Sequence, residues 1–477
     1  MSILNYCSKT RSNTYLTFNT YIMLSRFRQS LIFTGALFLL VLFVTSCTQN
    51  WPQFRGPDSN MVVTAKNLPD SWSPSENIRW STEIDGESWT SPVVWGNKVF
   101  MMSAIPVKVA PAPERQAPRP PRPQAEATGT SGSGQNPPPP PQRPPEQEED
   151  KSYLKDVYRW EVSCLDVETG ELLWKQVAME GSPRIKKHRA TNYSSETPVT
   201  DGKRLYAYIG MNGLYCYDLE GNLLWKKDLG AYPTLNGWGT GSSPVLFKHM
   251  LFVQVDNEES SFLVALDAET GKELWKKERE ELTNYSTPFI WKNSVRTELV
   301  CGGKKARSYD PLTGELIWEL GVGGHYNIPS PVAGQDMLYL GNAAYRDTPG
   351  TFFCVRAGAE GDISLTEGET SNSGIVWANL DAPIDKPSPL LYEGLLYMVS
   401  GRGGEITCFD AATGEQVYKE KVDNVAACWA SPWAYEDKIF FFDEKGVTSV
   451  LKAGRTFEFL HQNTLEDKFW ASIAVSG

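Results

Sequence analysis

The sequence predicts an all-β protein, an eight-bladed β-propeller of four-stranded blades, and three observations predict it. One phrase recurs along the chain: "CLDVETGELLWKQ", "CYDLEGNLLWKKD", "ALDAETGKELWKKE", "SYDPLTGELIWEL" and "CFDAATGEQVYKE". A Ser-Pro or Thr-Pro opens each repeat, at Pro92, Pro198, Pro244, Pro288, Pro331, Pro389 and Pro432, with Ile473 of "WASIAVSG" as a degenerate eighth. The spacings of 106, 46, 44, 43, 58, 43 and 41 residues centre on the length of a propeller blade.

Within one repeat the strands follow from turn chemistry. "SPVVWGNKVFMM" reads as two strands around Gly96-Asn97, and "LVALDAETGKELWKK" as two more around a second turn. In that second turn Asp267 can accept backbone hydrogen bonds and Gly271 can take positive φ. The same roles fall to Asp166 and Gly170, Asp310 and Gly314, and Asp410 and Gly414. Trp275 closes the unit from the outer strand, with Trp174, Trp225, Trp318 and Trp377 as its equivalents and Tyr418 a weaker one. Burying one such indole removes up to ~250 Å² from water, an upper bound of roughly 4–6 kcal/mol per blade. The motif is therefore a packing unit, a staple between neighbouring sheets.

The first interval is long because "APAPERQAPRPPRPQAEATGTSGSGQNPPPPPQRPPEQEED" interrupts it. With no core-forming residues, 105–150 is expected to be a disordered, Pro-rich insertion between the second and third strands of the first blade. Trp80 precedes Pro92 by the interval that separates Trp377 from Pro389. "ENIRWSTEI" is thus expected to be the outer strand of a last blade whose first strand is "ASIAVSG", closing the ring from the N-terminal side. That blade is left incomplete at the C-terminus. The propeller spans 76–477.

The N-terminal 46 residues are expected to be a signal-peptide region with its true start at Met23. Arg26 and Arg28 precede "LIFTGALFLLVLFV", an apolar run too short for a comfortable membrane span. It ends in Val44-Thr45-Ser46-Cys47, which resembles a bacterial lipoprotein box. Cys47 is then the lipid attachment site, residues 47–75 are a lipid-anchored N-terminal segment, and the membrane is a partner through that anchor. Thr48 is not the Asp that retains many lipoproteins at the inner membrane, so an outer-membrane site facing the periplasm is expected.

Net charge is −11, and removing the four positive charges of the leader leaves −15, which excludes a phosphate-tracking surface and argues against nucleic acid. "RIKKHR" is one short basic run, read as a solvated loop. Cys164, Cys216 and Cys408 share a repeat position with Ala265 and Ser308, so they read as small buried side chains, not bridges. The four histidines are not at metal spacing, and no metal site is expected. Three residues before the strand-opening Pro, or its equivalent, stand Trp89, Tyr285, Trp429 and Trp470. Asn192, Tyr193, Trp238, His325 and Tyr326 lie in corresponding loops. Two readings stand for this set: a channel rim that binds a sugar, a peptide or a flat cofactor, and blade-to-blade packing near the axis.

On "LDAETGKELW", the "SP" strand starts, "WPQFRGP" and "SPLLYEGLLYMVSGRGGEITCFDAATG", the chain resembles the pyrroloquinoline-quinone-repeat (PQQ-like) propeller family from residue 51 onward, in its exported or lipoprotein branch. More distantly it is similar to the BamB-like outer-membrane assembly lipoproteins. The resemblance implies an eight-bladed propeller that is either a scaffold or a quinone-dependent oxidoreductase of alcohols or sugars. The enzymes carry adjacent cysteines beside the quinone; here Cys428-Trp429 is the nearest echo, and no Cys-x-x-Cys-His exists for haem. No catalytic residue is assigned, and PQQ with calcium belongs only to the enzyme alternative. A membrane-tethered binding or scaffold propeller, with envelope proteins or a sugar or peptide as partner, is the reading favoured. Replacing Cys47 with Ala should release the protein from the membrane fraction or leave it unprocessed; normal processing with unchanged retention would contradict the anchor.

Overall fold

The computed structural model describes residues 50–109, 151–324, 327–344 and 348–476. The leader with Cys47, residues 110–150 of the insertion, His325 and Tyr326 lie outside the described residues. Among the described residues, seven antiparallel four-stranded sheets follow one another along the chain, two of them extended by a fifth, parallel strand. Blade 1 runs from Val93–Trp95 to Leu172–Gly181, blade 2 from Val199–Thr200 to Leu223–Lys227, and blade 3 from Val245–Phe247 to Glu273–Glu278. Blade 4 runs from Phe289–Lys292 to Leu316–Gly321, and blade 5 from Val332–Ala333 to Ile375–Asn379. Blade 6 runs from Leu390–Tyr392 to Gln416–Lys421, and blade 7 from Trp433–Tyr435 to Phe459–Thr464. In each, the first strand begins at the residue after the expected Pro, where a missing N–H costs no ladder bond.

The apolar core lies between the sheets. Leu205 and Ala207 of blade 2 pack with Phe100 and Val162 of blade 1, and Leu251 and Val253 of blade 3 pack with Tyr206 and Cys216 of blade 2. The pattern repeats to blades 6 and 7, whose shared cluster also holds Trp51, Val475 and, from blade 1, Val94, Val99 and Leu165. First strands of successive blades lie side by side between blades 1 to 4 and 5 to 7.

The repeated phrase acts as a staple from each blade to the next. Trp174 donates Nε1–H to Leu219 O of blade 2 at 2.9 Å, Trp225 to Ala268 O of blade 3 at 3.3 Å, and Trp275 to Pro311 O of blade 4 at 3.2 Å. Trp377 donates to Ala411 O of blade 6 at 3.0 Å. In each case the indole lies across the glycine of the receiving turn. A Cβ on Gly271, Gly314 or Gly414 would come within 2.7, 2.8 or 2.6 Å of it. These glycines sit at φ near +70°, and the Asp before them takes the turn amides: Thr270 N reaches Asp267 at 2.9 Å and Ala412 N reaches Asp410 at 3.0 Å. On its own blade, each Trp faces a small residue across the ladder: Cys164, Cys216, Ala265, Ser308 and Cys354 pair with Trp174, Trp225, Trp275, Trp318 and Trp377, and a bulge follows each. That is why the position accepts only small side chains. The six described cysteines are free and buried.

Two staples differ from expectation. Trp318 is fully buried and donates to Glu298 Oε2 at 2.7 Å, because blade 5 has no Asp-Gly turn to receive it. Instead Gly361–Asp362 adds in parallel to the outer strand of blade 4. In blade 7 the register places His461, opposite Val450, at the tryptophan position, and its Nε2 lies 2.8 Å from Asp70 O.

Residues 78–84 and 471–476, expected to form the eighth sheet, pair with no strand among the described residues. Trp80 nonetheless makes the staple contact: its Nε1 donates to Val167 O at 3.0 Å, and a Cβ on Gly170 would lie 2.5 Å from its ring. The segment from Asn50 to Val63 is not a separate leading piece. Val62–Val63 pairs in parallel with the first strand of blade 7, and Trp51 is fully buried.

The staple can be tested where space alone varies. Gly414 and Gly394 share φ of +75° and +77°, but a Cβ at Gly394 meets nothing within 4 Å. Gly414→Ala should therefore cost about 1–3 kcal/mol more than Gly394→Ala in chemical denaturation, the usual range for overpacking. Equal losses would remove the indole–glycine contact from the account.

Candidate functional site

The eight Ser or Thr residues that precede the strand-opening positions converge on one cavity. Ser91, Thr197, Ser243, Thr287, Ser330, Ser388, Ser431 and Ser472 all line it, and its volume is about 650 Å³, a size suited to a small-molecule ligand. They bond head to tail around it. Ser91 N donates to Thr197 Oγ1 at 3.2 Å, Thr197 N to Ser243 Oγ at 2.9 Å, and Ser243 N to Thr287 Oγ1 at 3.1 Å. Thr287 N then donates to Ser330 Oγ at 3.0 Å, Ser330 N to Ser388 Oγ at 3.0 Å, and Ser431 N to Ser472 Oγ at 3.1 Å. Each accepting hydroxyl spends a lone pair on an amide and keeps its own O–H to donate.

One end of the cavity is floored by the N-terminal segment, which crosses from one side of the sheet array to the other. Trp51 exchanges two backbone bonds with Val94 of blade 1, each 2.8 Å, and Pro52 O accepts from Thr200 N of blade 2 at 2.9 Å. Farther along, Asn60 Nδ2 donates to Leu391 O of blade 6 at 2.8 Å, and Met61 O accepts from Ala434 N of blade 7 at 3.0 Å. Phe54, in the middle of this chord, faces the cavity. Arg55 beside it is 1% exposed and donates to Pro331 O at 3.0 Å, and also to Ser330 O and Pro389 O. No carboxylate pairs with it among the described residues, and its Nε has no partner. Burial pulls this guanidinium down to about 9, so it remains charged at neutral pH.

Of the aromatic residues expected at the channel, Trp89, Trp238, Tyr285, Trp429 and Trp470 line the cavity. Three of them stack on one another. Trp470 lies between Trp89 and Trp429, with ring centroids 4.3 Å away on both sides and planes within 18° and 8°. Lys386 Nζ stands 5.0 Å over the Trp429 ring, and Trp429 Nε1 donates to Glu444 Oε2 at 3.0 Å. Their faces are therefore largely used by packing between blade 7, the C-terminal residues and blade 1. Trp238 differs: it is 41% exposed, and the His188 ring packs against it at a tilt of 31°, with centroids 4.0 Å apart. That contact also docks the "RIKKHR" stretch, expected to be free in solvent, against the rim: His188 N donates to Gly237 O.

Asn192 and Tyr193 do not line the cavity. Asn192 Oδ1 accepts from Ser194 N at 2.8 Å, and the buried Tyr193 hydroxyl donates to Ile185 O at 3.0 Å, so both brace the loop internally.

Sequence reasoning missed the charged residues of the site. Asp385, Lys386 and Arg402 line the cavity, with Lys386 Nζ 3.1 Å from Asp385 Oδ1 and Gly401 N 3.0 Å from Asp385 Oδ2. No repeat pattern marks them, because they come from one loop pair of blade 6. Nearby, Glu196 is 2% exposed behind the belt, and burial pushes its carboxyl above the usual carboxylate range.

Four-stranded sheets arranged around a central, floored cavity define the class of this protein as a β-propeller. The chain belongs to the family described as outer membrane protein assembly factor BamB, whose profile matches residues 159–420. Among solved structures it is similar to a europium-containing methanol dehydrogenase, at 11% identity and a TM-score of 0.55, covering 89% of this chain and 87% of that one. It is also similar to the quinohemoprotein alcohol dehydrogenase from Comamonas testosteroni, at 12% identity and a TM-score of 0.53, over 89% and 74% of the two chains. BamB from Moraxella catarrhalis aligns at 16% identity and a TM-score of 0.41, over 56% and 72%. At these identities the structural likeness speaks to fold alone. The comparison with curated proteins finds none that matches.

Proposed function

We propose that this chain is a membrane-tethered propeller of the cell envelope that binds a ligand or partner in its central cavity and carries out no redox chemistry. The observation that carries this reading is the donor set of the cavity. Among the described lining residues Asp385 is the only carboxylate, and both its oxygens are engaged. Calcium takes about six to eight oxygen ligands, and quinone catalysis needs a metal on the quinone carbonyl and a base for the substrate proton. Among the described residues no three His, Cys, Asp or Glu side chains come together as a metal site. Cys428 is single and buried, and the stack of Trp89, Trp470 and Trp429 leaves no slot for a flat ring between its members. The residues present do not fit a calcium–quinone pair.

An eighth sector formed by residues 470–476 and 78–84 is part of the same reading. Ser472 in the hydroxyl belt, Trp470 in the stack and Trp80 on Gly170 support it, since each fills the place a complete eighth blade would fill. A lipid on Cys47 would supply the tether, and the family's own description supports an outer-membrane address and a scaffold role. Among the described residues no helix is long and apolar enough to cross a membrane.

Purified protein supplied with Ca²⁺ and pyrroloquinoline quinone should show no dye-linked oxidation of alcohols or sugars. Substrate-dependent dye reduction that requires the added quinone would overturn the reading and establish the oxidoreductase alternative.

A further inference from the structure

We infer that the ligand of the central cavity is a sugar acid or a short carboxylated oligosaccharide, seated on the hydroxyl belt and held by Arg402 and Lys386. The inference rests on the reading of the cavity as the binding site and names its ligand class. Three independent features of the wall carry it.

The first is polarity of hydrogen bonding. At Thr197, Ser243, Thr287, Ser330, Ser388 and Ser472 the hydroxyl oxygen already accepts a neighbouring amide. Each of these hydroxyls keeps its O–H and a second lone pair, and Asp385, the one carboxylate among the described lining residues, is occupied. A ring of hydroxyls that can both donate and accept matches a ligand rich in hydroxyls and acceptor oxygens.

The second is charge. The whole chain is acidic, at −11, yet among the described residues the cavity is lined by Lys386 and Arg402 against Asp385 alone. The Arg402 guanidinium has no carboxylate partner among the described residues and is exposed to the cavity. Behind the floor, Arg55 is buried among carbonyls with no counter-ion. A buried cation without a counter-charge is costly, and an anion in the cavity offsets part of that cost. Arg55 is also held at φ of +64°, and Ser59 and Met61 at +51° and +54°, so this floor keeps strained backbone in place beneath the site.

The third is shape. The exposed face of Trp238, with Tyr285 and Phe54, gives flat apolar surfaces around the donors and cations. A pyranose ring presents C–H faces to such surfaces while its oxygens and carboxylate turn to the belt.

Calorimetric titration of the full-length, detergent-solubilised protein with trigalacturonate, its trimethyl ester and triglutamate tests this. An Ala471→Cys variant reports occupancy of the cavity through maleimide labelling, read by peptide mass spectrometry. Trigalacturonate should bind at least about tenfold more tightly than the ester, the ratio that one charge-assisted hydrogen bond supplies. The gap should close in Arg402→Gln and at roughly 0.5 M salt, and the acid should protect the introduced thiol. Equal binding by the ester with the thiol protected would overturn the anionic class and leave the cavity reading standing. Binding of the acid without protection would overturn the cavity reading and this inference with it. Tighter binding of triglutamate would replace the sugar by an acidic peptide, and no binding by any of the three would overturn the inference.

Discussion

The structure depends on one recurring contact, the indole of blades 1, 2, 3 and 5 lying across the glycine of the next. It makes three demands at once: a turn carbonyl free to accept the indole N–H, a residue without a Cβ beneath the ring, and a small cross-strand partner behind it. "LDAETGKELW" meets the first two for the preceding blade and supplies the indole for the following one. The repeat is therefore conserved within the chain as a reciprocal surface, donor on one edge and receiver on the other. Where blade 5 lacks the receiving turn, Trp318 has nowhere to go but inward, and the chain must bring Glu298 to bond it and Gly361–Asp362 to cover it.

Fixing blade to blade fixes the axis. Once the staples set the angle between sheets, the residues ahead of each first strand are driven together. Their amides need partners in a place where backbone ladders have not begun, and neighbouring Ser and Thr hydroxyls supply them. The same crowding stacks Trp89, Trp470 and Trp429 and leaves a space of about 650 Å³ that Phe54 floors from the N-terminal segment, with Arg55 buried behind it. The cavity is thus a by-product of packing, and Asp385, Lys386 and Arg402 add charge to its wall.

The fold was legible because a repeated unit repeats its physics. Asp267, Gly271 and Trp275 could be assigned turn, positive φ and staple from one copy and checked against the others. The candidate site was legible only in part. Trp89, Trp429 and Trp470 were placed at the axis by their offset from Pro, but not their stacking, which depends on three distant segments meeting. The Ser before each Pro was read as punctuation, and its role as a belt became visible only with neighbours in place. Asn192 and Tyr193 shared the loop but not the direction of the lining residues, since a loop braced by its own hydrogen bonds can turn a side chain either way. Lys386 and Arg402 occur once each, with no repeat to mark them, and Arg55 sat within "WPQFRGP" as an entry motif with no hint of burial.

The central claim is that the same staple fixes the segment carrying Trp80 to blade 1. Melting temperatures of Trp80→Ala and Trp225→Ala, measured side by side, test it most directly. Trp80 bonds blade 1 as Trp225 bonds blade 3, and each presents its ring to a glycine. The account predicts losses of similar size, several degrees for each, as expected for removing a partly buried indole from an interface on which both neighbours depend. A Trp80→Ala protein that melts like the unaltered chain, while Trp225→Ala is destabilised, would contradict it.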